Sequence, residues 1–384
     1  MAFINAVSFT IIIPVLYPYA KQFGLSDFEA SLLTTAYAAA QFIGTPILGR
    51  LSDRMGRKPL LIISLLGTVV ANLMASLAPF AWFLLIARVL DGITGGNTSI
   101  AQAIISDITS PAQRTKAFGI FGATFRLGFV AGPPLSYLAQ LVPPLPGFSS
   151  LGMSFVVSAA IALIATGLCV IFLPETHQVC DKFELTWSDF KIGRILKSVR
   201  HPQLGRVFLL TFLSGFTFTI FTFAFQPFFL IVLGQTPGRL ALMFAMFGVI
   251  GFMTQVFALD PLRKQFNIIT ILAFMLAARG ILFLLIPTFP TITAFVLITI
   301  VFGAVNSFPL PLIESILSLR SGPQEQGEVL GTNASFLSLS NAIGPATAGL
   351  LVSFGYSLPF WVTGVLTVGV AGFALSLRQS ESTG

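Results

Sequence analysis

Apolar residues in this chain come in long runs separated by short polar breaks. Twelve of the runs reach the length of about 20 residues that a helix needs to cross a bilayer. The pattern predicts spans at 2–21, 29–49, 59–78, 80–107, 116–142, 150–174, 206–232, 238–259, 268–287, 291–318, 327–353 and 356–377. The fold class is therefore all-α: a polytopic membrane protein of twelve transmembrane helices. The longest polar interruption, about 175–205, falls in the middle and carries both histidines, His177 and His201. It reads as a linker between a six-helix bundle over 1–174 and a second over 206–384.

Composition agrees. Of 384 residues 55% are hydrophobic, 40 are phenylalanine and only 9% are charged, against about 25% charged in soluble domains. The net charge of +7 would suit nucleic acid if it were spread over a surface. Most of the lysines and arginines instead fall in loops on one side of the predicted helices. That bias is the positive-inside rule, so the charge reports topology and no nucleic-acid partner is expected. An even number of spans then puts both termini in the cytoplasm. Cys169 and Cys180 flank the end of the sixth span on that side, which argues against a disulfide. The first residues run straight into a membrane helix without a basic leader, so no cleavable signal peptide is expected. There is no nucleotide-binding glycine loop and no cluster of metal-ligating residues. Neither an enzyme nor a cofactor is expected. The expected partners are the lipid bilayer, a small-molecule substrate and protons, with the chain acting as a monomer.

The densest charge cluster is Gly49-Arg50-Leu51-Ser52-Asp53-Arg54-Met55-Gly56-Arg57-Lys58-Pro59-Leu60-Leu61, wedged between the second and third spans. Its cations mark a cytoplasmic hairpin, its glycines let neighbouring helices approach, and Asp53 stands where it can pair with an arginine or a helix N-terminus. An internal repeat supports two halves. At an offset of 212 residues, Pro111, Gly119, Leu127, Gly132 and Pro133 meet Pro323, Gly331, Leu339, Gly344 and Pro345. The charge cluster has only a degraded partner, Asp260-Pro261-Leu262-Arg263-Lys264. Parallel repeats of six helices are a transporter architecture with the substrate site near the midplane.

These residues resemble the major facilitator superfamily over essentially the whole chain. Gly49–Leu61 is similar to the family's signature between helices 2 and 3, Arg88–Gly96 to its helix 4 signature, and Gly128–Pro133 to its helix 5 "antiporter" signature. Asn5-Ala6-Val7, Ile13-Pro14-Val15-Leu16 and Gly92-Ile93-Thr94-Gly95 look most like drug:proton antiporters of the tetracycline-efflux type. The resemblance implies two pseudo-symmetric bundles, alternating access, and proton-coupled export of small organic molecules. The chain also departs from that group: Asn5 and Arg279 stand where it has carboxylates, Ala71 where it has another acid, and Pro134 and Ser136 where small glycines are usual. Uptake of an organic anion and a non-transporting receptor remain the alternative readings.

The candidate residues follow. Gly49, Asp53, Arg54, Gly56, Arg57 and Lys58 form a gating motif in which Asp53 and Arg57 latch helix 2 to the start of helix 11 near Gln326, with Asp107 and Arg114 extending the network. The bland reading is that the cations only fix topology. Arg88 and Asp91 lie three apart on one helical face. Asp91 is a proton-coupling candidate tuned by Arg88, or else half of an ion pair that fixes helix 4 against helix 1 or 2. Glu314 is a second proton-coupling candidate, with a structural pair to Arg279 as the favoured alternative. Asn5, Tyr37, Gln41, Arg126 and Gln226 are substrate-cavity candidates, Arg126 either as a counter-charge for an anion or as a partner for Asp91. Gly128, Gly132 and Pro133, with Gly344 and Pro345, are the close-packing and kinking positions of helices 5 and 11, at the border of the halves. The phenylalanines of helix 7 cover all its faces, so most of them are expected to meet lipid or packing, with lipid favoured residue by residue and an aromatic cavity wall as the other reading for some.

Overall fold

The computed structural model describes residues 2–176, 198–201, 204–321 and 326–382. His177, Cys180 and Pro323 lie outside the described residues, as do the side chains of Arg114, Arg126, Asp260 and Gln326. Twelve helices follow one another along the described chain. They are α1 (Ala2–Thr10 and Ile13–Gln22), α2 (Asp27–Met55), α3 (Arg57–Ser76), α4 (Ala81–Thr94, continued by Thr98–Ile108), α5 (Pro111–Leu141) and α6 (Met153–Phe172). After them come α7 (Gly205–Pro227), α8 (Pro237–Phe257, continued by Leu259–Gln265), α9 (Ile268–Thr288), α10 (Ile292–Asn306 and Pro309–Arg320), α11 (Gln326–Phe354) and α12 (Leu358–Ser382). Among the described residues, nine helices are long and apolar enough to cross a membrane. The other three, α2, α4 and α5, carry most of the polar residues singled out above.

Breaks in the helices have local causes. In α1 the helix opens at Ile11 and Ile12, where Pro14 lacks the N–H that the Thr10 carbonyl would have bonded. Pro227 ends the regular part of α7, and Phe228–Val232 continue in a wider turn. In α4 a tight turn at Gly95–Asn97 separates the two helical pieces.

The chain divides into two compact units: residues 1–26, 36–190 and 237–245 in one, residues 27–35, 191–236 and 246–384 in the other. Each has the same internal scheme. In the first, α1 packs on α5 and α3 on α6; in the second, α7 packs on α11 and α9 on α12. Small residues set the first of these pairings. A Cβ at Gly128 or Gly132 would run into Ala6 or Thr10 of α1, and one at Gly344 would run into Thr219 of α7. Pro133 and Pro345 are buried beside them. The nearest contacts of these three glycines are thus internal to each unit. In α7 packing wins over lipid, the side favoured residue by residue: Phe221, Phe223 and Phe225 are buried. Phe221 alone has the rings of Phe225, Phe247, Phe283, Phe302 and Phe360 within 6.3 Å. Ring-to-ring packing inside the unit stabilises them more than one-sided contact with acyl chains does.

Candidate functional site

An unpaired charge at membrane depth costs at least several kcal/mol, and α4 carries two charges one turn apart. Arg88 Nη2 donates to Asp91 Oδ2 at 2.8 Å, with both side chains almost wholly buried. The same nitrogen reaches Asn72 Oδ1 on α3 at 3.4 Å. The guanidinium lies 5.7 Å from the Tyr37 ring of α2 and 5.5 Å from the Phe155 ring of α6. The pair therefore ties α4 to α2, one of the two helices the sequence pointed to, and also to α3 and α6. Asn72 gave no signal beyond being a polar residue in an apolar run. Buried Arg88 Nε has no acceptor among the described residues.

One turn further on, Gly95, Gly96 and Asn97 interrupt α4. Without side chains at Gly92 and Gly96 the helix comes close to α2: a Cβ on Gly96 would lie 2.8 Å from the Thr45 nitrogen, and one on Gly92 would collide with the Tyr37 carbonyl. The interruption gathers three of the cavity candidates. Asn5 Nδ2 donates to Asn97 Oδ1 at 3.0 Å. Gln41 Nε2 donates to the Gly95 carbonyl at 3.1 Å and to the Tyr37 hydroxyl at 3.3 Å. Sequence reasoning missed Asn97, although an asparagine straight after two glycines in an apolar run marks a helix break with a polar side chain on it.

The other candidates are placed elsewhere. Gln226 is buried in α7, its Nε2 reaching the Thr222 carbonyl at 3.5 Å while Oε1 has no partner. Glu314 is half-buried on the second piece of α10. It does not pair with Arg279, as the sequence had suggested. Arg279, 2% exposed, donates to the Ser214 carbonyl at 3.1 Å, Ser214 Oγ at 3.2 Å, Thr217 Oγ1 at 3.1 Å and Asn306 Oδ1 at 3.3 Å. Neutral oxygens of α7 and α10 thus hold this cation, three of them sharing Nη2, while its buried Nε finds no acceptor among the described residues. Arg126 lies within α5.

The charged hairpin between α2 and α3 is a built network. Gly56 has φ +93°, a conformation that favours glycine, and it turns the chain directly from α2 into α3. Arg57 is buried and reaches three side chains: Nη1 to Asp53 Oδ1 at 2.5 Å, Nε to Asp107 Oδ2 at 3.0 Å, and Nη1 to Ser52 Oγ at 2.6 Å. Glu175, which the sequence assigns to the linker, joins from beyond α6. Its carboxylate accepts from the backbone nitrogens of Arg57 at 3.0 Å and Lys58 at 3.1 Å, which satisfies the open donors at the start of α3 and complements its dipole. Lys58 Nζ donates to the Val170 carbonyl at 2.8 Å. Gly49 lets Ser99 of α4 approach, at 3.4 Å from where its Cβ would stand. Arg54 and Asp53 are exposed. The contact expected between this motif and the start of α11 falls on residues outside those described.

A family model described as Major Facilitator Superfamily matches residues 1–278 and 207–383. Multidrug resistance protein 1 of Bacillus subtilis (strain 168) is 29% identical over 372 residues, covering 96% of this chain and 92% of the relative. The class B tetracycline resistance protein of Escherichia coli is 27% identical over 399 residues, covering 98% and 92%. Among solved structures, a mutant of the nucleoside transporter NupG aligns with a TM-score of 0.76 at 13% identity, covering 98% of this chain and 97% of that one. The human organic anion transporter MFSD10 (TETRAN) aligns at 0.72 and 20% identity, covering 97% and 96%. Both likenesses show the fold.

Proposed function

Because the chain belongs to the Major Facilitator Superfamily and is a multi-pass membrane transporter, we propose that it exports small organic molecules across the cell membrane in exchange for protons. Two six-helix bundles, 1–174 and 206–384, would alternate access to a site near the midplane, with 175–205 as the linker and both termini in the cytoplasm. Relatives named for multidrug and tetracycline resistance support export.

The observation that carries the coupling is the buried Arg88–Asp91 pair. Asp91 is a carboxylate at membrane depth with one charged partner among the described residues, and Arg88 has a spare acceptor in Asn72. Protonation of Asp91 removes half of the pair and leaves Arg88 to Asn72 and the Tyr37 ring. That ring lies between the ion pair and the polar cluster at the α4 break, so the proton and a ligand at the break act on the same side chain. The hairpin network then serves as the gate: Asp53 is the exposed member that can change partners while Arg57 stays fixed by Asp107 and Ser52.

Expression in a drug-sensitive host should raise resistance, and substrate added to energised inside-out vesicles should release protons from them. Asp91→Asn should abolish gradient-driven flux while leaving the protein folded in the membrane. Flux that ignores the proton gradient, together with an unaffected Asp91→Asn variant, would falsify the coupling.

A further inference from the structure

We propose that the first unit carries, at the break in α4, a substrate subsite for planar aromatic molecules that bear a carbonyl or hydroxyl oxygen and no positive charge. The inference rests on the export reading above and names the class of cargo.

The site is a closed circuit of contacts. Asn5 and Phe9 lie four residues apart on one face of α1. Asn5 bonds Asn97, and Asn97 follows Gly95, whose carbonyl holds Gln41. Gln41 bonds the Tyr37 hydroxyl, and the Tyr37 ring stacks on Phe9 at 5.4 Å with the planes 26° apart. Phe129 of α5 meets Phe9 edge-on at 6.3 Å and is 40% exposed. Asn5, Phe9 and Gln41 are partly exposed, so the circuit is reachable from one side. Its rings form a stacking shelf for a flat ligand.

Two donors on this circuit lack acceptors. Asn97 is 2% exposed, and its Nδ2 is buried with no partner among the described residues. The Tyr37 hydroxyl accepts from Gln41, and its own proton has no acceptor among the described residues. Leaving a buried donor without an acceptor is destabilising, so both favour a ligand oxygen. The circuit holds no carboxylate that would draw in a cation. Asp91 is committed to Arg88, and the Arg88 guanidinium lies against the Tyr37 ring. An ammonium placed on this shelf would meet two donors and a nearby positive charge, whereas an oxygen acceptor would complete the site.

The test uses the full-length protein in lipid nanodiscs and three probes on one ring system: naphthol, naphthoate and naphthylmethylammonium, each followed by equilibrium dialysis. Naphthol or naphthoate should bind at least about tenfold more tightly than the ammonium, the scale of one good hydrogen bond. Tyr37→Phe, which keeps the ring and loses the donor, and Asn97→Ala should each weaken naphthol binding by about five- to tenfold. Asn5→Asp should shift preference toward the ammonium. Equal or tighter wild-type binding of the ammonium overturns the proposal, as does undetectable naphthol binding or a Tyr37→Phe variant that binds naphthol unchanged. Export is judged separately, by proton-driven flux of the same probes in vesicles. Binding without flux sinks the export reading and leaves the subsite standing; flux with the wrong charge preference does the reverse.

Discussion

Thr10 and Gly132 fit together so closely that a methyl group on the glycine would overlap the threonine hydroxyl. That hydroxyl also lies 2.8 Å from the Gly128 carbonyl, to which it donates. The second unit repeats the arrangement. Thr219 Oγ1 donates to the Ser340 carbonyl at 3.2 Å, and a methyl on Gly344 would overlap Thr219. Gly128 and Gly132 map onto Ser340 and Gly344 by the offset of 212 that the sequence repeat shows. A hydroxyl from the first helix of each unit thus bonds the backbone of its fifth, at a place where only glycine gives enough room.

Substituting either glycine should therefore act on packing before it acts on transport. Gly132→Ala and Gly344→Ala should each destabilise the purified protein by about 1–3 kcal/mol, and leucine at either site should prevent folding. Gly122→Ala, also on α5 but where an added Cβ meets nothing within 4 Å, should leave the melting temperature unchanged. Thermal unfolding in detergent reads all of these. An unaffected Gly132→Leu variant would show that α1 and α5 are not in contact as described.

Glu175 makes a second prediction, because it caps α3 from a distant part of the chain. Glu175→Ala should cost about 1–2 kcal/mol by reopening the nitrogens of Arg57 and Lys58, and Glu175→Gln should cost less. Gly56→Ala should be worse than Glu175→Gln. It forces an L side chain into φ +93° and places its Cβ 2.6 Å from the Glu175 carboxylate. Melting temperatures across the three variants rank them; an order with Gly56→Ala mildest would refute the geometry of the turn.

The carboxylates around Arg57 should separate by role. Asp53 is 54% exposed and Asp107 only 21%, while Arg57 itself is buried. An exposed pair contributes about 0–1 kcal/mol, so Asp53→Asn should leave stability nearly intact and lower flux if Asp53 works the gate. Asp107→Asn should lower stability, since it strips a buried arginine of its more protected partner. Arg57→Lys should behave like Asp107→Asn, because an ammonium cannot hold Asp53, Asp107 and Ser52 in one plane. Parallel unfolding and flux assays distinguish the two classes; equal stability losses at Asp53 and Asp107 would contradict the assignment.

Much of this was legible in the sequence, and the gaps have physical causes. Hydropathy leads directly to the succession of helices, because membrane spans are written in linear order. Arg88 and Asp91 could be paired from their spacing, because both lie on one helix. Asn97, Asn72 and Glu175 went unseen, because each works across a contact between helices distant in sequence. Arg279 misled for a related reason. A buried cation suggests a carboxylate, but four neutral oxygens spread over α7 and α10 leave no pattern to read. For the phenylalanines of α7 the choice between lipid and packing was not legible, because composition shows which residues are apolar and not what covers them.

The last prediction concerns pH, at a contact outside the membrane-spanning helices. The Tyr356 side chain lies in the connection between α11 and α12 and hydrogen-bonds Asp27, the first residue of α2, within the second unit. Burial, then the neighbouring Asp27 charge, then the hydrogen bond itself all raise the pKa of the Tyr356 phenol above its usual value, which is about 10. A folded-state pKa above the unfolded one means that the contribution to stability is fully present below the unfolded value. It is lost as the pH climbs through the folded value. The Asp27–Tyr356 contact should hold through neutral pH and fail only in strong alkali. Tyr356→Phe should cost about 0.5–1 kcal/mol at neutral pH and should flatten the fall in melting temperature above about pH 10. A variant with the same alkaline decline as the wild type would mean that some other group sets it.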